Sequence, residues 1–221
     1  NIDISIPKIF EKNEKDLFII SQDFGNLRYD KIIQKESIID LLQYAIDSLI
    51  VINNSIQFNN KYKLPIYNFN NFKDEIIELP HFFLPYLNKN HDNQLTEEFI
   101  SIWSKSFDNF NFDFSNFVHK DYNINNLILL PSEKKHLKCG IIDFQSAFWG
   151  ESFWDLFSLL EDSRIYYTDK FNEEFINYFF YKTNQKISIK EYKYKYHFLN
   201  CSRQSRLLGR WIKLSKDLNK N

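Results

Sequence analysis

The stretch from Phe117 to Phe144 constrains the fold of this chain more than any other. Two apolar runs, Leu127-Ile128-Leu129-Leu130 and Cys139-Gly140-Ile141-Ile142, are separated by Pro131 and a charged turn through Lys138. Each run reads as a short strand, and a turn of that length between them makes a β-hairpin. Polar residues stand at both open ends. His119-Lys120-Asp121-Tyr122-Asn123-Ile124-Asn125-Asn126 leads into the first strand, and Asp143 closes the second, seventeen residues after Asn126. Such a hairpin brings Asn126 and Asp143 together although they are distant in sequence.

The rest of the chain is organised around helices. Ile2, Ile4 and Ile6 alternate with polar residues until Pro7, which reads as an extended segment. Leu17-Phe18-Ile19-Ile20 is a second strand candidate. From about Tyr29 to Val51 the spacing turns helical, with Ile38, Leu41, Leu42, Ala45, Ile46, Leu49 and Ile50 on one face. Further helices are expected over Phe72–Tyr86, Leu95–Phe107, the stretch after Gly150, Lys170–Tyr181 and Ile189–Leu214. Their apolar stripes read as core-facing. There is no internal repeat and no clear linker.

Composition narrows the function classes. With 43% hydrophobic residues in 221 the chain can bury a real core. Its net charge of −1 argues against a protein devoted to phosphate-backbone binding, so no nucleic-acid partner is expected. The basic-aromatic segment Lys186–His197 is read accordingly as a solvated helix face over packed aromatics. No apolar run approaches a membrane span, no signal peptide opens the chain, and a cytoplasmic setting is the default. Cys139 and Cys201 form no metal or disulfide pattern, and the histidines at 81, 91, 119, 136 and 197 lack zinc spacing. Methionine is missing altogether, even at position 1, and the sequence reads as trimmed or as having lost its methionines.

The hairpin ends suit phosphoryl transfer. That reaction needs a carboxylate beside the attacking hydroxyl, a role Asp121 suits. It also needs oxygen ligands for Mg2+, which binds few protein groups and keeps several waters. Asn126 can give a neutral carbonyl oxygen and Asp143 an anionic one. His119 reads as a structural residue that holds the loop by hydrogen bonding to backbone.

These residues, with Gly140 through Ala147 and the Asp155-Leu156 pair, resemble the aminoglycoside phosphotransferase and choline kinase-like family. The resemblance implies an α+β, protein-kinase-like fold, mainly the helical C-terminal lobe with a catalytic β-hairpin. It implies ATP and Mg2+ as cofactors and Asp155 as a brace for the catalytic loop. Residues 1–25 are then a remnant of the N-terminal lobe and the hinge, where Ser21 and Gln22 meet the adenine, and residues 26–221 form the catalytic lobe. The letters Asp23-Phe24-Gly25 precede the catalytic loop, the wrong order for a metal-binding Asp-Phe-Gly motif. Asp155 follows Asp143 by only twelve positions, which leaves no room for an activation segment, so a small-molecule acceptor is expected.

Within the group the sequence is most similar to bacterial anomeric kinases of N-acetylmuramate and N-acetylglucosamine. The similarity rests on Ile142-Asp143-Phe144-Gln145 with Ala147, on Asp155 through Asp162, and on Arg203 through Gly209. Asn123, Gln145 and Ser146 fall at the expected acceptor pocket, where Ser146 replaces the usual Asp and Asn123 the usual His. Aminoglycoside, choline-like or homoserine acceptors are the alternatives within the family. Outside it stands a non-catalytic binding module, because a glycine-rich loop and a strand lysine are lacking: the four glycines, 25, 140, 150 and 209, are scattered. Both elements are expected before Asn1.

Overall fold

The computed structural model describes residues 2–56, 58, 59, 61–89, 92–165 and 168–217; His91 lies outside them. In chain order the elements begin with strands β1 (Ile9–Asn13) and β2 (Phe18–Ser21), then helices α1 (Tyr29–Ile32) and α2 (Ile38–Ser55). Helices α3 (Phe69–Ile76), α4 (Leu84–Tyr86) and α5 (Asn93–Asp108) follow, with a π-helical turn at Leu79–Phe83. Strands β3 (Asn116–Val118), β4 (Leu127–Leu129), β5 (Cys139–Ile141) and β6 (Phe148–Gly150) carry the chain to helices α6 (Trp154–Leu160), α7 (Asp169–Lys182) and α8 (Ile189–Asp217). Two compact units result: Asn1–Pro65 with Ser115–Ile189, and Ile66–Phe114 with Lys190–Asn221.

In the first unit, β4 and β5 form the expected hairpin, in the register Leu127 to Ile141 and Leu129 to Cys139. Its edges are covered by short bridges. Ile141 N–H donates to Ser5 O at 2.9 Å, and Leu129 N–H donates to Leu27 O at 2.8 Å. The Ile2–Ile6 segment is therefore tied to the hairpin by Ser5 and, at the hairpin's turn, by Asp3, whose carboxylate pairs with Lys134 and His136. The partner of β2 is instead β1, which sequence pattern missed because Ile-Phe-Glu-Lys-Asn does not alternate. The Asn13 side-chain oxygen accepts from the N–H groups of Lys15 and Asp16, and this Asx turn folds the pair.

The expected continuous helix from Tyr29 to Val51 is broken. Gln34-Lys35-Glu36 offers nothing apolar to bury, and Ser37 caps a new helix by accepting from Asp40 N–H. Helix α2 then buries Leu41, Leu42, Ala45, Ile46, Leu49 and Ile52, a stripe continued by Ile52 rather than Ile50. All seven residues of α6 are buried, so this helix is apolar nearly all round.

The second unit is packed by aromatics. Phe72 stacks on Phe198 and contacts Trp103 and Phe107. In the basic-aromatic segment Tyr192 and Tyr196 lie beneath the surface as expected, but Lys195 is buried too. Its ammonium pairs with the Asn111 carbonyl and the Glu191 carboxylate, which satisfy a charge the sequence pattern had placed in water.

Candidate active site

Two short strand pairs frame the chemistry. Strands β3 and β6 pair antiparallel, Val118 opposite Phe148 and Asn116 opposite Gly150. The loop from β3 to β4 carries His119 through Asn126, and the loop from β5 to β6 carries Ile142 through Ala147. Both ends of both loops are thus pinned by paired strands, and the loops run side by side.

Hydrogen bonds knit them at Ile142. The Ile142 N–H donates to Asn126 O at 3.1 Å, and the Ile142 carbonyl lies 2.9 Å from His119 Nε2. A carbonyl only accepts, so Nε2 carries the proton. His119 is buried, with its ring edge against Tyr122 and Phe144. Asp143, the next residue, takes a left-handed conformation (φ 77°, ψ 51°) and leaves its carboxylate at the surface. A non-glycine residue held there is uncommon and marks a constrained position.

The catalytic-loop residues serve each other. The Asp121 carbonyl accepts from Asn123 N, Asn123 Nδ2 and Asn126 Nδ2 at 3.0, 3.1 and 2.9 Å. Structural work therefore falls on the Asp121 backbone, and its half-buried carboxylate has no hydrogen-bond partner among the described residues. Because Asn126 spends its Nδ2 on Asp121, its Oδ1 is the atom left to bind something else. Fully buried Tyr122 anchors the loop by donating to Ala45 O of α2 at 2.9 Å.

Asp155, in the first turn of α6, accepts from His119 N–H at 2.7 Å and from Lys120 N–H at 2.9 Å. Lys120 sits at φ 77°, and this carboxylate receives the two N–H groups that such a backbone turns inward. Burial pushes its pKa up from 3.8 to about 6, against the opposing pull of His119 and the two N–H donors. The pKa is higher folded than unfolded, so the group's contribution favours folding below about pH 4 and is lost as pH rises through about 6. The cost at neutral pH is about 3 kcal/mol. The two N–H bonds are stronger to the ionised form, which therefore holds the loop more firmly. Chemical denaturation between pH 4 and 7 should therefore show a declining stability component that Asp155→Asn removes, while any activity of the wild-type site falls below about pH 6.

Ser21 and Gln22 are exposed; Ser21 pairs with Ile9, and Gln22 N–H donates to Lys8 O at 2.8 Å. No hydrogen bond joins them to the two loops. The link to the hairpin is Phe24, whose ring lies where a side chain on Gly140 would be: a Cβ there would come within 2.7 Å of it. Gln145 and Ser146 occupy the 3-10 turn just after Asp143. Arg164 was not expected at the site at all. Its guanidinium pairs with Asp162 and reaches Asn123 Oδ1 at 3.3 Å. The only signal was an Asp-Ser-Arg tripeptide after a buried helix.

The donor set fits magnesium. Asn126 Oδ1 and the exposed Asp143 carboxylate could supply two oxygen ligands, one anionic, and the Ile142 N–H ties the Asn126 backbone to the residue before Asp143. Among the described residues no three His, Cys, Asp or Glu side chains gather as a metal cluster. No helix among them is long and apolar enough to cross a membrane.

Residues 88–187 match the model of the phosphotransferase enzyme family, APH. Over 67 residues the chain is 37% identical to an N-acetylmuramate/N-acetylglucosamine kinase of Caulobacter vibrioides, a match covering 30% of this chain and 18% of that protein. The ADP-bound aminoglycoside phosphotransferase APH(2'')-Ib superposes with a TM-score of 0.57 at 15% identity, over 99% of this chain and 68% of that one. A GDP complex of a mutant aminoglycoside 2'-phosphotransferase IIIa gives 0.60 at 13% identity, over 99% and 71%. APH(3'')-Id from Streptomyces rimosus, with ADP and streptomycin, gives 0.54 at 12% identity, over 90% and 76%. At these identities the likeness establishes the fold, the kinase-like α+β architecture of aminoglycoside phosphotransferases.

Proposed function

We propose that this chain, whose residues 88–187 match the phosphotransferase enzyme family model, transfers the γ-phosphoryl group of ATP to the anomeric hydroxyl of an acetylated amino sugar. The observation that carries the reading is the double latch on Ile142, which sets Asn126 and Asp143 beside a loop whose Asp121 carboxylate is uncommitted. In this reading Asp121 orients the sugar hydroxyl and takes its proton. The new O–P bond forms as the bond from the γ-phosphorus to the bridging oxygen breaks, and ADP leaves. Asn126 and Asp143 hold Mg2+, which offsets charge on the phosphates when bound. His119, Asp155 and Tyr122 fix the loop, and the segment from Ser21 to Phe24 edges the nucleotide site.

The acetylated amino sugar is supported by the local identity to the Caulobacter kinase. It is supported independently by Arg164 beside Asn123, because a polycationic aminoglycoside would meet a guanidinium at its acceptor site. Calorimetric titration with Mg·ATP tests the nucleotide half. Asp143→Ala removes the one anionic metal ligand and should weaken binding by about tenfold or more. Unchanged affinity in that variant, or binding that ignores EDTA, would contradict the assignment.

A further inference from the structure

We propose that Arg164 is a specificity residue of the acceptor site that favours sugars bearing a carboxylate. The inference rests on the phosphotransferase reading above and deepens it by naming the acceptor's charge.

Arg164 is held as few surface arginines are. It lies four residues beyond the end of α6, in a turn built on Asp162, whose side chain is 2% exposed. One oxygen, Asp162 Oδ1, accepts from Arg164 N–H at 3.1 Å and lies 3.0 Å from its Nε. Backbone and head of the same arginine are thereby fixed to one buried carboxylate. Asp162 Oδ2 is itself buried and has no hydrogen-bond partner among the described residues. A desolvated carboxylate left half satisfied is costly, and turning its other oxygen onto Arg164 is the use this turn makes of it.

The far end of the guanidinium faces the catalytic loop. One terminal nitrogen donates to Asn123 Oδ1 at 3.3 Å, an oxygen that also receives Asn125 N–H. Asn123 is two residues from Asp121 in the same loop, and its Nδ2 donates to the Asp121 carbonyl at 3.1 Å. The guanidinium therefore stands beside the loop that carries Asp121, and its side chain remains 47% exposed there. Its second terminal nitrogen has no protein partner among the described residues. A guanidinium fixed at Nε and at one terminal nitrogen keeps a planar donor edge, a good match for a carboxylate.

The electrostatics require such a group for an anionic acceptor. A carboxylate-bearing sugar would approach the Asp121 carboxylate, and a fixed cation next to Asn123 offsets that repulsion. N-acetylmuramate and N-acetylglucosamine differ by the lactyl ether that gives the first its carboxylate. Arg164 would discriminate between them by that group.

The test is the ratio of kcat/KM for N-acetylmuramate to that for N-acetylglucosamine with the full chain and Mg·ATP. Arg164→Gln should lower the ratio by about tenfold or more, and Arg164→Lys should give an intermediate value. A second arm needs no mutation: wild type should use the methyl ester of N-acetylmuramate at least about tenfold less well than the acid. A ratio within about twofold of wild type in Arg164→Gln, or equal use of acid and ester, would overturn this inference and leave the phosphotransferase reading standing. Turnover of neither sugar by wild type would overturn both.

Discussion

Asp121→Asn is expected to lower kcat for phosphoryl transfer by about 10³-fold, with KM for both substrates changed little. The substitution keeps shape and hydrogen-bonding capacity but removes the ability to accept a proton. Its effect on folding should be small, within about 0.5 kcal/mol, because the loop is held by the Asp121 carbonyl and not by its carboxylate. Steady-state kinetics beside a denaturation curve separate the two. A fall in kcat of less than tenfold would remove Asp121 from the role of base. A large loss of stability would mean that the carboxylate supports the loop.

The second large effect is expected within the second unit, at Gly209 in α8. A Cβ on this residue would sit 2.1 Å from the Glu78 carbonyl oxygen and 2.3 Å from its carbon. Both are backbone atoms, so no side chain can swing away. Glu78 is also held in place by Arg210, whose Nε and second terminal nitrogen both reach its carboxylate. The backbone at Glu78 leads directly into the π-helical turn at Leu79–Phe83. Gly209→Ala must therefore separate α8 from this turn by more than an ångström, at an overpacking cost of about 3 kcal/mol. Thermal denaturation should show Tm lower by about 6–12 °C. A Tm within about 2 °C of wild type would show that the two backbones are less tightly opposed than this.

Features set by local pattern were legible before any coordinates. The hairpin of β4 and β5 follows from two four-residue apolar runs around a proline and a charged turn, and each strand ends one residue before its run does, at Leu129 and Ile141. The buried face of α2 follows from spacing alone. What escaped was non-local. β3 and β6 are three residues each, and each is aromatic-rich without alternation. Only their pairing across about thirty residues makes strands of them. The break before Ser37 hid inside a run whose propensity is adequate for helix throughout. It shows only in the absence of anything apolar to bury at Gln34-Lys35-Glu36.

The site divides in the same way. Asp121, Asn126 and Asp143 stood out as candidates because the chemistry they would serve fixes their spacing to one hairpin. The bracing of the loop by Asp155, across 36 and 35 positions, came from the family resemblance and not from local pattern, and the contact of Arg164 with Asn123 across 41 positions had no such guide. Phe24 over Gly140 belongs to the same class: a glycine in a strand signals a close approach, but not what approaches.

The most direct test of the central claim is a phosphoryl-transfer assay of the chain with Mg·ATP and each of the two acetylated amino sugars, read by ³¹P NMR. The expected result is a Mg2+-dependent phosphomonoester at the anomeric carbon of the sugar, absent with Asp121→Asn. A chain that binds Mg·ATP yet forms no sugar phosphate, or one whose product carries the phosphate on another hydroxyl, would contradict the account.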